Sequence, residues 1–320
     1  MIKIIADSTC DLSDEILARY QISIAPLTIQ IGDKSYQDRI DIQPDEFYHM
    51  MMDLEKNPTT AMPSPTEFLR CMEEGIAEGC TEILCICMSS GTSGSYQSAI
   101  IAQELFYEQY DPNEYKLHIV DTLCMSHGSG YLILKSALLR EVGFTFEELV
   151  QFNETFKKHV KHFLSVDDLD NLIRSGRLSN TSAFIGKLLR IKPIMTMRDG
   201  KGVIVAKERG RRNVLDHYVR EFIKRVDEEM TTFIIIGYTS DMAYAENLKL
   251  KLLQESDFKG DVYIMQMGVS VGTHVGLGGV SMYFIEKDRN HDGLLVNELN
   301  NFVLKRDTFL EAFKRKYGKA

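Results

Sequence analysis

The first half of the chain alternates short apolar runs with stretches of helical spacing. Residues 2–6 are apolar and stop at Asp7, residues 13–20 have helical spacing, and residues 22–31 read as one strand. The pattern predicts helices at 45–54 and 66–78, a compact apolar strand at 83–88, a helix at 96–106, a strand at 117–120 and a helix at 131–139. Strands that alternate with helices pair in parallel through right-handed crossovers. Their carboxyl ends share one edge of the sheet, which is where open α/β sheets bind ligands. The polar turns at 7–11, 89–95 and 121–126 each follow a strand and are expected to meet on that edge.

The second half has a different texture. It predicts a helix at 146–159, a strand at 163–166, and helices at 168–173 and 183–189. Runs at 194–197 and 203–206 flank Asp199-Gly200-Lys201-Gly202, a strong hairpin signal. A helix at 213–226, a strand at 233–237, a helix at 243–253 and strands at 262–267 and 280–285 follow. The expected fold is α/β with two domains. Residues 1–155 form an N-terminal domain with a mostly parallel sheet flanked by helices, and 156–286 a C-terminal α+β domain with a mixed sheet. The boundary has no Pro- or Gly-rich linker, so tightly packed halves are expected. Residues 287–320 form a helical C-terminal extension, with Leu295, Leu299, Phe302, Val303, Phe309 and Phe313 at roughly helical spacing. That extension either docks on the body or meets a partner.

Composition narrows the function. A chain of 320 residues builds two cores without disulfide or metal staples. A formal charge of −9 gives no global attraction to nucleic acid or to an anionic membrane. No apolar run spans a bilayer, and the apolar start is too short for a signal-peptide core. The six cysteines lack C-x-x-C spacing and read as free thiols in a reducing cytoplasm, with no metal site. Cys85 and Cys87, two apart in a strand, share one face. The 15 methionines suit either an adaptable core or a pliable pocket for an aliphatic ligand.

Four stretches carry candidate chemistry. In Ser89-Ser90-Gly91-Thr92-Ser93-Gly94-Ser95-Tyr96 a strand feeds small residues that open a helix. Free N–H groups at that helix start suit a carboxylate or phosphate, although a capped turn needs the same small residues. The stretch lacks the Gly-Lys-Ser/Thr ending of a P-loop. Ser93 also stands where a nucleophile elbow places its serine, with Asp241 and His274 following in triad order, but Ser95 occupies the position that needs glycine.

The second stretch is Asn57-Pro58-Thr59-Thr60-Ala61-Met62-Pro63-Ser64-Pro65. Ser64 and Glu67 fit a helix N-cap with a capping box, and Thr60 is left as a hydroxyl donor for a site. The third is the glycine-dense run 268–279, which follows a strand, is flexible enough to bring backbone close to a ligand, and carries His274 in its middle. The fourth is basic: Arg174, Arg177 and Lys187 flank Ser175-Gly176, and Lys207, Arg209, Arg211 and Arg212 cluster after the hairpin. Such a cluster is a solvated face or a docking site for an acidic partner or phosphorylated ligand.

Five motifs in order and spacing resemble the DegV family. They are Ile5-Ala6-Asp7-Ser8-Thr9-Cys10-Asp11-Leu12, Thr60-Ala61-Met62-Pro63-Ser64-Pro65, Ser89 to Tyr96 as given above, Ser175-Gly176-Arg177, and Gly272-Thr273-His274-Val275-Gly276. The resemblance implies a non-catalytic bacterial protein that buries one long-chain fatty acid between two domains and has no other cofactor. Some members of the family resemble the acyl-binding subunit of fatty acid kinase, in which a separate ATP-dependent subunit phosphorylates the carboxylate. On that resemblance Thr60, Ser93 and the Gly94 backbone hold the carboxylate, His274 lies beside it, and Arg209 faces the kinase subunit. The acyl tube would draw on Phe184, Ile185, Leu188 and Leu189.

Two departures stand out. Ala61 occupies a position where members often have serine, and the chain continues through 287–320 where most members end. A monomer is expected, with a tail-mediated dimer as the other possibility. Two rival functions remain open at this point: a serine hydrolase of acyl esters using Ser93 and His274, and a lipid-sensing regulator whose tail meets the partner.

Overall fold

The computed structural model describes residues 1–54, 57–179 and 191–287. From the N-terminus run β1 (Ile2–Asp7), α1 (Asp14–Arg19), β2 (Ile22–Ala25), β3 (Thr28–Ile31), β4 (Lys34–Gln37), α2 (Pro44–Met51), β5 (Thr59–Ala61), α3 (Pro65–Ala77), β6 (Glu82–Cys87), α4 (Ser95–Tyr107), β7 (Lys116–Asp121), α5 (His127–Glu141) and α6 (Phe146–Phe156). Four of these strands form a wholly parallel sheet in the order β2-β1-β6-β7. The predicted strand at 22–31 is two strands in different sheets. Pro26 separates them, because it has no N–H to continue a ladder. The second piece, β3, pairs antiparallel with both β4 and β5.

The chain continues through β8 (Val160–Ser165), α7 (Asp170–Arg174), β9 (Leu178–Ser179), β10 (Ile191–Arg198), β11 (Lys201–Arg209), α8 (Arg211–Arg225), β12 (Phe233–Tyr238), α9 (Met242–Glu255), β13 (Asp261–Gln266), α10 (Val269–Val275) and β14 (Val280–Ile285). Its seven strands form a mixed sheet in the order β13-β12-β14-β8-β10-β11-β9. The β10–β11 hairpin turns at Asp199 and Gly200, both at positive φ of 49° and 75°, as the twist of a two-residue hairpin requires. The predicted helix at 183–189, with Phe184, Ile185, Leu188 and Leu189, lies outside the described residues, as does the extension beyond residue 287.

The glycine-dense run at 268–279, expected to be flexible, is largely helical. Val269, Val271 and Val275 bury into two apolar clusters and hold α10 in place. Tertiary burial there outweighs the helix cost of a single internal glycine, which is about 1 kcal/mol.

Helix α5 joins the two halves. Every residue from His127 to Leu139 is buried, as befits a helix covered on all sides. It packs against β1 and β6 on one side and against β8, β12 and β14 on the other. One apolar cluster therefore spans both sheets, including Ile4, Leu84, Tyr131, Ile133, Ile235 and Tyr283. Helices α3 and α4 cover the outer face of the first sheet, and α8 and α9 that of the second. All six cysteines are unpaired and buried, and the Cys85 and Cys87 sulfurs lie 3.7 Å apart on one strand face.

Candidate functional site between the two sheets

The three strand-end turns do meet. Asp7 accepts a hydrogen bond from the Met88 N–H at 2.9 Å, and Asp121 accepts one from the Ser90 N–H at 3.0 Å. Asp11 accepts from the Ser126 hydroxyl at 2.5 Å and from the Gly268 N–H at 2.8 Å, tying the turns to α10. Asp38 adds a second tie, accepting from Ser8 at 2.8 Å and from Ser270 at 2.6 Å. Burial pushes the Asp7 and Asp38 carboxyls upward and Asp11 to about 8. These groups are part of the scaffold that aligns α10 with the sheet edge.

Against that scaffold lies a cavity whose wall carries the polar side chains of Thr9, Thr60, Thr92, Ser93, Arg177, Ser270 and His274 beside apolar ones such as Leu27, Met88 and Met125. Strand β5 supplies Thr60 and α10 supplies His274, and their Oγ1 and Nε2 atoms lie 2.8 Å apart. The Ser93 hydroxyl accepts from the Ser95 N–H at 3.2 Å and pairs with the Ser95 hydroxyl at 3.1 Å. Gly94 occupies the N-cap position of α4 with no side chain of its own to cap it. A Cβ there would strike the Met62 sulfur, so Met62 packs directly over the turn. Burial, reinforced by the Arg177 charge, pushes His274 down to about 4 and leaves the imidazole neutral.

Arg177 is the cation of this cavity. Its Nε donates to the Thr92 carbonyl at 3.2 Å and its Nη1 to the Ser175 carbonyl at 2.6 Å. Sequence reading grouped it with the basic surface and gave it no place in the site. The available signal was a Ser-Gly-Arg motif in a chain of net charge −9.

A second cavity adjoins the first, and Met125, Arg177, Val271 and Val275 line both. Its further walls are mainly apolar, from Leu164, Leu172, Leu178, Met195, Met197 and Met267. A cavity that carries hydroxyls, an imidazole and a guanidinium thus shares walls with a methionine-rich, aliphatic one.

The other predicted groups fall elsewhere. Arg209 is exposed at the end of β11, in register with Ile191, and lines neither cavity. The basic cluster is not one surface: Arg211 pairs with Asp167 at 2.8 Å and with Asp241 at 2.6 Å, and Arg174 bonds Asn171 at 3.0 Å. Lys187 lies outside the described residues. The Ser93–His274–Asp241 relay is not assembled. Asp241 caps α9 and holds Arg211, His274 Nε2 faces Thr60, and Ser93 faces Ser95. Ser64 does cap α3, accepting from the Glu67 N–H at 3.3 Å, but the Glu67 side chain pairs with Arg70 at 3.1 Å and closes no capping box. Among the described residues no cluster of three His, Cys, Asp or Glu is placed to hold a metal, and no helix is long and apolar enough to cross a membrane.

Fold and site together define a two-domain α/β protein with two adjoining cavities between its sheets, one of them carrying polar side chains. The chain belongs to the DegV family, since the family model described as "Uncharacterised protein, DegV family" matches residues 1–287. It is 37% identical to a DegV domain-containing protein from Clostridium acetobutylicum, over 89% of this chain and 99% of that protein. A DegV family protein from Thermus thermophilus, described for its fatty acid binding, superposes with a TM-score of 0.80 at 26% identity, over 89% of this chain and 99% of the other. A stearic-acid-binding protein from Eubacterium ventriosum superposes with a TM-score of 0.81 at 26% identity, over 90% of this chain and 99% of the other.

Proposed function

We propose that this protein binds a long-chain fatty acid, with the aliphatic tail in the methionine-rich cavity and the carboxylate in the hydroxyl-bearing one. The observation that carries this reading is the shared wall of Met125, Arg177, Val271 and Val275, which joins an apolar chamber to a hydroxyl-bearing one. Fatty acid binding by the Thermus and Eubacterium proteins of the same fold supports it. A tail of about a dozen methylenes, at about 0.8 kcal/mol each, contributes about 10 kcal/mol gross before the costs of association. The carboxylate is the expensive end and needs several donors. In this reading Thr60, Ser93 and the Gly94 backbone supply them, neutral His274 donates one bond, and Arg177 supplies the positive charge.

The protein performs no chemistry of its own in this proposal. It presents the carboxylate to a separate ATP-dependent kinase subunit, and the exposed Arg209 is the residue assigned to that contact. The test is native mass spectrometry of delipidated protein titrated with stearate. Thr60→Ala and Ser93→Ala are each expected to weaken binding by about 1–3 kcal/mol, the usual cost of orphaning a buried polar group. Unchanged affinity in both variants would remove the carboxylate assignment. Arg209→Glu is expected to leave stearate affinity intact and to slow acyl phosphorylation in a coupled assay with a kinase subunit. Equal rates would remove the docking assignment.

A further inference from the structure

The seven-stranded sheet has a gap. Strands β8 and β10 pair only where Leu164 and Ser165 meet Met195 and Ile194. Away from that point β8 keeps its other partner, β14, back to Val160, and β10 keeps β11 on to Arg198. Between them the two strands part. The groove they leave is lined by residues 160–163 of β8 and 196–198 of β10, with α8 along one side. Over 160–163 the edge of β8 that faces β10 has no ladder partner among the described residues. An open strand edge is a template for aggregation, and proteins cover such edges with another strand, a helix or a loop.

Charge and chain course point to what covers this one. In a chain of net charge −9, Lys157, Lys158, Lys161, Arg198 and Arg225 line the groove against Asp199, Glu221 and Glu286. Arg225 is held by Glu221 and Glu286, and Lys157 by Glu154. Lys158 and Arg198 are exposed and have no ion pair among the described residues. Val160, Met197 and Val205 add apolar surface. The described chain also ends here: Glu286 lines the groove, and the Lys287 N–H donates to the Arg225 carbonyl at 2.9 Å. Residues 288–293 can span up to about 20 Å. They lead to residues 294–304, in which Leu294, Leu295, Val296, Leu299, Phe302, Val303 and Leu304 are apolar and Glu298 is the only charge. Residues 180–190 are worse placed, because they connect β9, beyond β11, to the end of β10 that pairs with Arg209. We propose that residues 294–304 of this chain dock in the groove and cover the open edge of β8, their apolar side chains on its apolar surface and Glu298 toward its unpaired cations. Thr196 and Met197 line both this groove and the aliphatic cavity, so the docked segment backs a wall of that cavity. Docking of this kind does not depend on the fatty-acid reading.

The test is amide hydrogen exchange read by mass spectrometry on delipidated protein. It compares the full chain with a chain ending at Lys287 and with a full-length triple variant, Leu295→Ser, Leu299→Ser and Phe302→Ser. In the full chain, amides at 160–163 and 196–198 are expected to exchange about tenfold or more slowly than in either variant, while those of α9 exchange alike in all three. The triple variant serves where the shortened chain does not fold. Equal exchange at the groove in all three proteins would overturn the docking, as would a slowing spread evenly over the molecule. Protection that falls on dilution, together with a dimer in native mass spectrometry, would also overturn it, because the occupant would then be the tail of a second copy.

Discussion

Thr60 and His274 touch at 2.8 Å although 214 positions separate them. Each drew notice in the chain for a local reason: Thr60 is a hydroxyl in a proline-stiffened segment with no capping duty, and His274 sits among glycines. Their pairing was invisible, because spacing reports only on neighbours along one element. Arg177 was misplaced for a related reason. Charge in a sequence has no direction, and burial turned this guanidinium inward while Arg211 was neutralised by Asp167 and Asp241. The inward charge has a measurable consequence. In an NMR titration of delipidated protein, the His274 ring is expected to stay neutral through about pH 6, because burial and Arg177 hold its pKa near 4. A midpoint at the ordinary 6.5 would show that neither effect acts on the ring.

At the scale of elements, the first sheet was largely legible. Three of its strands, β1, β6 and β7, are short apolar runs followed by polar turns, and parallel pairing follows from the intervening helices. Two assignments failed where tertiary context outweighed local pattern: the Pro26 break between β2 and β3, and helix α10, whose glycines masked a buried valine face. The order of the second sheet was not legible, because β14 inserts between β12 and β8 by antiparallel pairing at long range. Helix α5 shows how closely the two halves fit. A Cβ at Gly130 would strike the Cys10 carbonyl oxygen, a backbone atom that cannot rotate away. Gly130→Ala is therefore expected to destabilise the protein by about 1–3 kcal/mol, the usual cost of overpacking, despite alanine's better helix propensity. Urea unfolding measures it, and an unchanged or raised midpoint would mean that α5 has slack against the first turn.

At the scale of the whole molecule, buried ionisable groups set the response to pH. Burial pushes the Cys10 and Cys71 thiols from 9.0 to about 12, and Cys87 and Cys124 also rise. Above pH 9 the unfolded chain releases protons that the folded protein keeps, so each thiol lowers stability as pH rises from there towards its folded value. Lys135, lowered from 10.5 to about 7, opposes them: over that interval the unfolded chain holds a proton the folded protein lacks, so stability rises with pH. Asp11, raised from 3.8 to about 8, makes stability fall as pH rises to that value and so offsets Lys135 between about 7 and 8. Four thiols outweigh one lysine above pH 9. The urea midpoint under reducing conditions is thus expected to be nearly flat between about pH 7 and 8 and to drop steeply by about pH 10, less steeply in Cys10→Ala. A midpoint that holds at alkaline pH would mean that water reaches these thiols in the folded state.

Information confined to neighbouring residues was enough for the parallel half, the hairpin turn, the helix cap at Ser64, the free thiols and the polar turns along one sheet edge. Periodicity, capping and turn chemistry act within a few residues and can be read where they stand. The cavity is of another kind. Its walls come from β5, β8, β10, α7, α10 and the strand-end turns, and they enclose a common volume only after α5 has brought the two sheets onto one core. The inward swing of Arg177, the shared wall between the two cavities, and the gap between β8 and β10 all depend on which distant groups burial brings together and which it leaves without a partner.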